Sequence, residues 1–352
     1  KKMINIYKKY VDYATKFGAS LSVQFILQDW IKQFFNSMIL FYGAYVVING
    51  NSSIGEIIML QTLLNYLITS FTNIMKTVPS YKAAEVSYER LTAILNSEKE
   101  DYNTGYQPDL TFKQIDFHNV VFGYSHSRKL LFDNLSFNIS GYKKVAIVGA
   151  TGTGKTTMMK LLQKFYKPLS GEILIDGIDV NSINIQYLRN HIGYVSQSPF
   201  LFNLSILENI RLGNQNAEKI EIIELCKNLG MHDWIESLPE KYDTIIKENG
   251  KRLSGGQRQK IAIIQALIKK PKLLIFDEAT SNLDAFSEKQ VNDLILSLKD
   301  ILVILITHRI SSVVDSDEII YMNKGEVGAV GNHKTLLNEC MGYRKMWEMQ
   351  NH

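Results

Sequence analysis

Of the 352 residues, 45% are hydrophobic and 21% charged, ordinary globular values that exclude a disordered or fibrous chain. The length exceeds what one core comfortably supports and points to two or three domains. The net charge of +4 suits either nucleic acid or a membrane surface, and its distribution decides between them. Residues 1–96 carry nine Lys/Arg against five Asp/Glu, whereas residues 97–352 carry thirty of each. The whole excess therefore lies in the first quarter. Two cysteines, Cys226 and Cys340, make no disulfide framework and sit in no zinc-binding spacing, so they read as separate thiols in a reducing compartment.

The chain opens Lys1-Lys2-Met3 without a signal-peptide pattern and reads as the later part of something longer. Two windows then run without charge, Gln33 to Gly55 and Ile57 to Met75, separated by the loop-like Asn49-Gly50-Asn51-Ser52-Ser53. Crossing the hydrocarbon of a bilayer takes roughly 20 mostly apolar residues. The second window meets that length; the first must borrow upstream residues that include Asp29 and Lys32. We expect membrane helices over about 18–48 and 54–76, with Lys1–Lys16 extending the first beyond the bilayer. Gln61, Asn65, Thr69 and Asn73 stripe the second helix and either line a hydrated pathway or pack between helices. Lysines flank the outer ends, Lys76, Lys82 and Arg90 on the far side, and the loop between has none, which sets both outer ends in the cytoplasm. Pro79 and a polar stretch lead to residues 97–111, taken as a linker because of their polar composition with Gly105 and Pro108.

From residue 112 to 352 the pattern becomes short apolar runs alternating with helical stretches. Val145–Val148, Ile192–Val195, Leu273–Phe276 and Ile301–Ile306 fit parallel strands buried on both faces. Ligands gather at the carboxyl ends of such strands. After the first run come Gly149-Ala150-Thr151-Gly152-Thr153-Gly154-Lys155-Thr156, a GxxxxGK[ST] phosphate loop followed by Thr157 and a helical segment. Its glycines let backbone N–H groups turn toward phosphates, Lys155 reaches the β- and γ-phosphates, and the Thr156 hydroxyl suits Mg²⁺. After the third run come Asp277 and Glu278, suited to hold Mg²⁺ and to polarise a water, respectively. Taken alone, such a pair caps the next helix just as often. His308 follows the fourth run, and Gln197 follows the second, where its amide is within reach of Mg²⁺ or water. Leu253-Ser254-Gly255-Gly256-Gln257 opens a further helix, with Ser254 as its cap and glycines permitting close approach to an anion.

With that string between a GxxxxGKT loop and a strand ending Asp-Glu, residues 112–350 resemble an ABC-type ATPase. The resemblance implies an α-helical transmembrane bundle, present here in part, followed by an α/β P-loop NTPase domain of ABC type. It implies ATP and Mg²⁺ as ligands, with Thr156, Gln197 and Asp277 at the metal and Glu278, Gln197 and His308 serving hydrolysis. Tyr124 would stack on adenine, although by itself it reads as a core tyrosine. Ser254 and Gly256, with Gly255 and Gln257, would close on the γ-phosphate held by a second identical or related subunit. Asp284 matches the loop that communicates between the two sites, and Glu248-Asn249-Gly250 resembles the exporter loop that touches the membrane domain. Intact motifs imply a hydrolysing site, and Ile264-Gln265, where relatives often have Ala-Arg, is a minor departure.

Membrane helices leading into one ATPase domain resemble a half-size ABC exporter, here with its last two helices. The run from Gly55 to Ile74 looks most like bacteriocin and peptide exporters. Many of those carry a leader-cleaving cysteine protease, for which Cys226 is misplaced as a nucleophile. The implied function is ATP-driven export, with a peptide or bacteriocin as cargo, by a multi-pass protein of the cytoplasmic membrane with its ATPase domain inside. Lipid or multidrug export is the alternative. A non-transport ABC ATPase acting on nucleic acid or in regulation is a further one, disfavoured by the electroneutral 97–352 and the intact Glu278 and His308.

Overall fold

The computed structural model describes residues 2–97, 99–125, 129–247, 250, 252–279, 283–298 and 300–351. It divides into two compact units, residues 1–99 and 100–352.

The first unit is a hairpin of two long helices, α1 (Lys2–Ile48) and α2 (Ile54–Leu95). Both are long and apolar enough to cross a membrane. Ser53 starts α2 with a capping box: its side chain accepts from the Glu56 backbone, and the Glu56 carboxylate accepts from the Ser53 N–H. Gly43 lets the helices touch, since a Cβ there would lie 2.7 Å from Ile57 Cδ1. The Asn36 amide reaches Asn65 Oδ1 across the hairpin at 3.4 Å. Gln61 and Asn65 are half-buried toward that seam, whereas Thr69 and Asn73 are exposed. Helix α2 contains the expected membrane span, 54–76, and runs on beyond it. Pro79 removes one backbone donor, but α2 continues through it, and Lys82-Ala83-Ala84-Glu85 downstream favour helix on toward Leu95.

The second unit stacks two sheets. An antiparallel sheet has the order β2-β1-β4-β5, from β1 (Gln114–Phe122), β2 (Phe132–Ser140), β4 (Ser170–Ile175) and β5 (Ile178–Asp179). A six-stranded sheet has the order β10-β9-β3-β8-β7-β6, from β3 (Lys144–Gly149), β6 (Ile192–Val195), β7 (Leu273–Asp277), β8 (Leu302–Thr307), β9 (Glu318–Asn323) and β10 (Glu326–Gly331). The four apolar runs are β3, β6, β7 and β8, all parallel to their neighbours. β3, β7 and β8 are buried along their whole length because both faces are covered. Val145 and Ile147 pack toward the first sheet with Phe117, Phe132 and Met158. Ala146 and Val148 face the other core, with Ile261 and Ile264 of helix α8 (Gly255–Leu267). One alternating strand thus serves two cores.

Register aligns the strand ends that matter. Val148 pairs with Thr307, Asp277 with Ile306 and Val195 with Phe276, so the carboxyl ends of β3, β8, β7 and β6 share one edge.

Residues 100–111, expected as a linker, are instead strapped to this second unit. Glu100 forms a two-pronged pair with Arg189 at 2.7 Å on each side. The Asn184 amide donates to the carbonyls of Tyr102 and Thr104, Tyr187 donates to that of Pro108, and Leu110 is buried. A polar Gly/Pro composition suits a free linker and equally an irregular strap fastened through several of its carbonyls.

Candidate functional site: the nucleotide cradle

The cradle begins where β3 meets helix α3 (Lys155–Leu162). Gly154 caps this helix in the left-handed conformation (φ 100°) and supplies no side-chain hydrogen bond, leaving the first N–H groups open. A Cβ at Gly154 would lie 2.4 Å from the Phe132 ring, so glycine is required on steric grounds as well. Gly149 is equally tight, with a Cβ there falling 2.4 Å from the Met322 carbonyl. Lys155 is buried, and its ammonium donates to the carbonyls of Gly149 at 2.8 Å and Ala150 at 3.0 Å. Burial pushes its pKa down, while Glu278 and Asp277 oppose the shift. An anion entering the loop gives this ammonium a better partner than two carbonyls.

Asp277, at the end of β7, is buried and accepts from the Thr156 hydroxyl at 3.0 Å and from Tyr194 at 2.7 Å. Burial and the Asp277 carboxylate together raise the Tyr194 phenol, so Tyr194 is a fixed donor that orients Asp277. Thr156 Oγ1 and Asp277 Oδ1 are adjacent hard oxygens, the kind of protein donor Mg²⁺ takes while keeping several waters. Among the described residues no group of three His, Cys, Asp or Glu forms a fuller cage. The donor chemistry therefore fits a hydrated Mg²⁺.

Glu278 follows in a left-handed conformation (φ 52°), and its N–H bonds to the Ile306 carbonyl at 2.8 Å. A non-glycine residue held at positive φ on a strand end marks a place where side-chain position outranks backbone comfort. Its carboxylate accepts from the Gln197 amide at 2.7 Å and lies 3.0 Å from His308 Nδ1. Gln197, Glu278 and His308 thus come from the ends of β6, β7 and β8 and meet at one carboxylate.

A hollow of about 280 Å³ over the phosphate loop is lined by Thr151, Gly152, Gly154, Lys155, Thr156 and Thr157, and by Tyr124, Leu131 and Glu278. The Tyr124 hydroxyl shares a 2.8 Å hydrogen bond with Thr157, and its ring stands edge-on to Phe122 and Tyr166. A larger hollow of about 820 Å³, lined by Gln163, Arg189, Tyr194, Phe200 and Lys269 among others, contains no phosphate-loop residue. Convergent charge, rather than size, singles out the smaller one.

Ser254, Gly255, Gly256 and Gln257 do not line that hollow within the chain. Ser254 caps α8 in a closed box: its side chain accepts from the Gln257 N–H at 3.2 Å, and Gln257 Oε1 accepts from the Ser254 N–H at 2.8 Å. Asp284 caps helix α9 (Ala285–Ser297), accepting from the Ser287 N–H at 2.7 Å, which holds its carboxyl below the ordinary range. Glu248, Asn249, Ser281 and Asn282 lie outside the described residues. Sequence reasoning missed three supporting residues: Tyr194 behind Asp277, Phe132 beneath Gly154, and Leu131 in the lining. The only signal for Tyr194 was a polar tip inside an otherwise apolar strand.

Backbone amides around an anion-sized hollow, with a buried lysine inside and acids at the neighbouring strand end, define a P-loop nucleotide-binding domain. Residues 132–281 match the family model described as ABC transporter. Over 313 residues the chain is 38% identical to the alpha-hemolysin translocation ATP-binding protein HlyB of Escherichia coli, spanning 88% of this chain and 44% of that protein. It is 39% identical to the leukotoxin translocation ATP-binding protein LktB of Mannheimia haemolytica over the same length and coverage. A solved structure of a bacterial Atm1-family ABC exporter with ATP bound matches with a TM-score of 0.74 at 31% identity, covering 97% of this chain and 60% of that one. The chain spans under half the length of the curated relatives it matches. The ABC transporter domain thus lies within the second unit, at residues 132–281.

Proposed function

We propose that this chain is the ATPase-bearing part of an ABC exporter that hydrolyses ATP to move a peptide or protein cargo out across the cytoplasmic membrane. The observation that carries the reading is the meeting of Gln197, Glu278 and His308 beside an intact phosphate loop. The two relatives named for translocating alpha-hemolysin and leukotoxin support the cargo class.

In this mechanism the loop N–H groups and Lys155 grip the β- and γ-phosphates, and Tyr124 leaves Thr157 to stack on adenine. Mg²⁺, held by Thr156 and Asp277, neutralises charge on the phosphate oxygens when bound. Glu278 takes a proton from the attacking water as the new O–P bond forms and the bond to the β-phosphate oxygen breaks, giving ADP and phosphate. Gln197 and His308 hold the Glu278 carboxylate in line. Ser254 and Gly256 act on the nucleotide of a second subunit, because the α8 start does not line its own chain's hollow. Asp284 links the two sites. At about 1.5 Å per residue α2 is roughly 60 Å long, twice the hydrocarbon thickness, so its last turns run on into the cytoplasm. The ATPase domain follows α2 in the chain and lies on the same side. The lysine-flanked ends of the hairpin support that orientation.

The test is Glu278→Gln in the full-length transporter in lipid vesicles. Hydrolysis should fall about 10²–10⁴-fold while ATP still binds. Near-normal turnover would remove Glu278 as the base. Vesicles that transport lipid or drug, and no peptide, would shift the cargo to the alternative class.

A further inference from the structure

The histidine beside Glu278 is held from an element with no part in the motifs. Helix α11 (Met341–Asn351) packs on the turn that follows β8. From it, the Gln350 side chain forks onto the backbone on both sides of Arg309. Its amide donates to the His308 carbonyl, and its oxygen accepts from the Ile310 N–H at 2.9 Å. A third bond, from the Arg309 N–H to the Thr307 hydroxyl at 2.9 Å, tightens the same corner. The helix is itself anchored. Tyr343 is fully buried and bonded to His333 Nδ1 at 2.8 Å, and the Trp347 ring lies 4.8 Å from that of His333.

We propose that Gln350 is a positioning residue for hydrolysis, setting the backbone of residues 308–310 so that His308 meets Glu278. The inference rests on the ATPase reading above. The chemistry of the fork is specific: a primary amide offers a donor and an acceptor side by side at any ordinary pH, as the carbonyl of His308 and the N–H of Ile310 require. The backbone after a strand end has no ladder partner of its own, so this fork supplies what the sheet no longer can. A drift of His308 of even 1 Å would weaken its bond to Glu278, and positioning errors of that size are costly in phosphoryl transfer.

Two near-isosteric variants separate the amide's role from simple packing. Gln350→Met keeps the side chain's size and removes both hydrogen bonds. Gln350→Glu keeps the acceptor for Ile310 and sets a carboxylate against the His308 carbonyl. In the full-length transporter in vesicles, Q350M should lower kcat for ATP about 3–10-fold, with KM for ATP within twofold of wild type and an unchanged thermal midpoint. Q350E should fall between wild type and Q350M at neutral pH. A Q350M enzyme with wild-type kcat, a loss confined to KM, or a loss explained by a lowered thermal midpoint would each overturn the proposal. Its failure is separable from that of the ATPase reading, which stands or falls on Glu278→Gln alone.

Discussion

Two helices of the second unit begin with glycines and an anion-attracting dipole, and they begin in opposite ways. α3 starts on Gly154 with no side-chain cap, so its first N–H groups are unclaimed. α8 starts on Ser254 with a closed capping box, its side-chain and backbone donors partly spent on each other. In the proposed mechanism the open end is completed by a nucleotide bound to its own chain, next to Lys155 and Asp277. The closed end is stable without one, yet the Ser254 hydroxyl proton and the N–H groups of Gly255 and Gly256 remain available to an outside anion. Under that proposal, the helix start that waits for a second subunit's nucleotide carries its own cap, and the one built around its own chain's phosphate does not.

The contrast is sharpest at Gly154. Gly154→Ala meets both the left-handed φ and the Phe132 ring, and should destabilise the protein by about 3 kcal/mol, read by denaturant unfolding. A cost below about 1 kcal/mol would mean that the open end tolerates a side chain. Lys155→Ala should weaken ATP binding about 10–100-fold, the scale of a charge-assisted hydrogen bond, in a nucleotide titration. Unchanged affinity would deny that the open end needs its lysine. Ser254→Ala should cost only about 1 kcal/mol of stability. It should also lower hydrolysis in the assembled transporter while leaving ATP affinity for the phosphate loop unchanged; a loss of that affinity would break the distinction between the two helix starts.

The smallest effect concerns the far end of α3. Arg189 holds the carbonyls of Gln163 and Lys164 just past that helix and pairs with Glu100. The Arg189 guanidinium, with help from Tyr102, holds the Glu100 carboxyl down to about 2 from its ordinary 4.5. Because the folded value is the lower one, the pair's contribution is full above pH 4.5 and is lost as pH falls toward 2. The pair is partly exposed, so the change in unfolding free energy should stay below about 1 kcal/mol. Glu100→Gln should flatten stability across that window, and an unchanged pH slope would remove the pair from account.

Several parts of this site were legible as linear strings. The phosphate loop, the acid pair after Phe276 and His308 after Ile306 all sit one or two residues beyond apolar runs, and short runs of that kind suit buried strands. Parallel register then brings their ends to one edge. The partners of those residues were not legible. Tyr194, Phe132 and Gln350 lie 83, 22 and 42 residues from the groups they support, Asp277, Gly154 and His308, and nothing local marks them. The strap of residues 100–111 misled for a related reason: loop composition describes what backbone is free of, not what it is fastened to.

The charge balance and hydropathy pattern determined that a lysine-flanked helical hairpin precedes an electroneutral α/β domain, because both depend only on the order of side chains along the chain. The motif spacings determined the nucleotide chemistry for the same reason. The tertiary structure decided which carboxylate Gln197 and His308 share, which tyrosine backs Asp277, and which helix start is open. Those are contacts between strand ends and distant helices, and their geometry exists only once two sheets and two cores have packed.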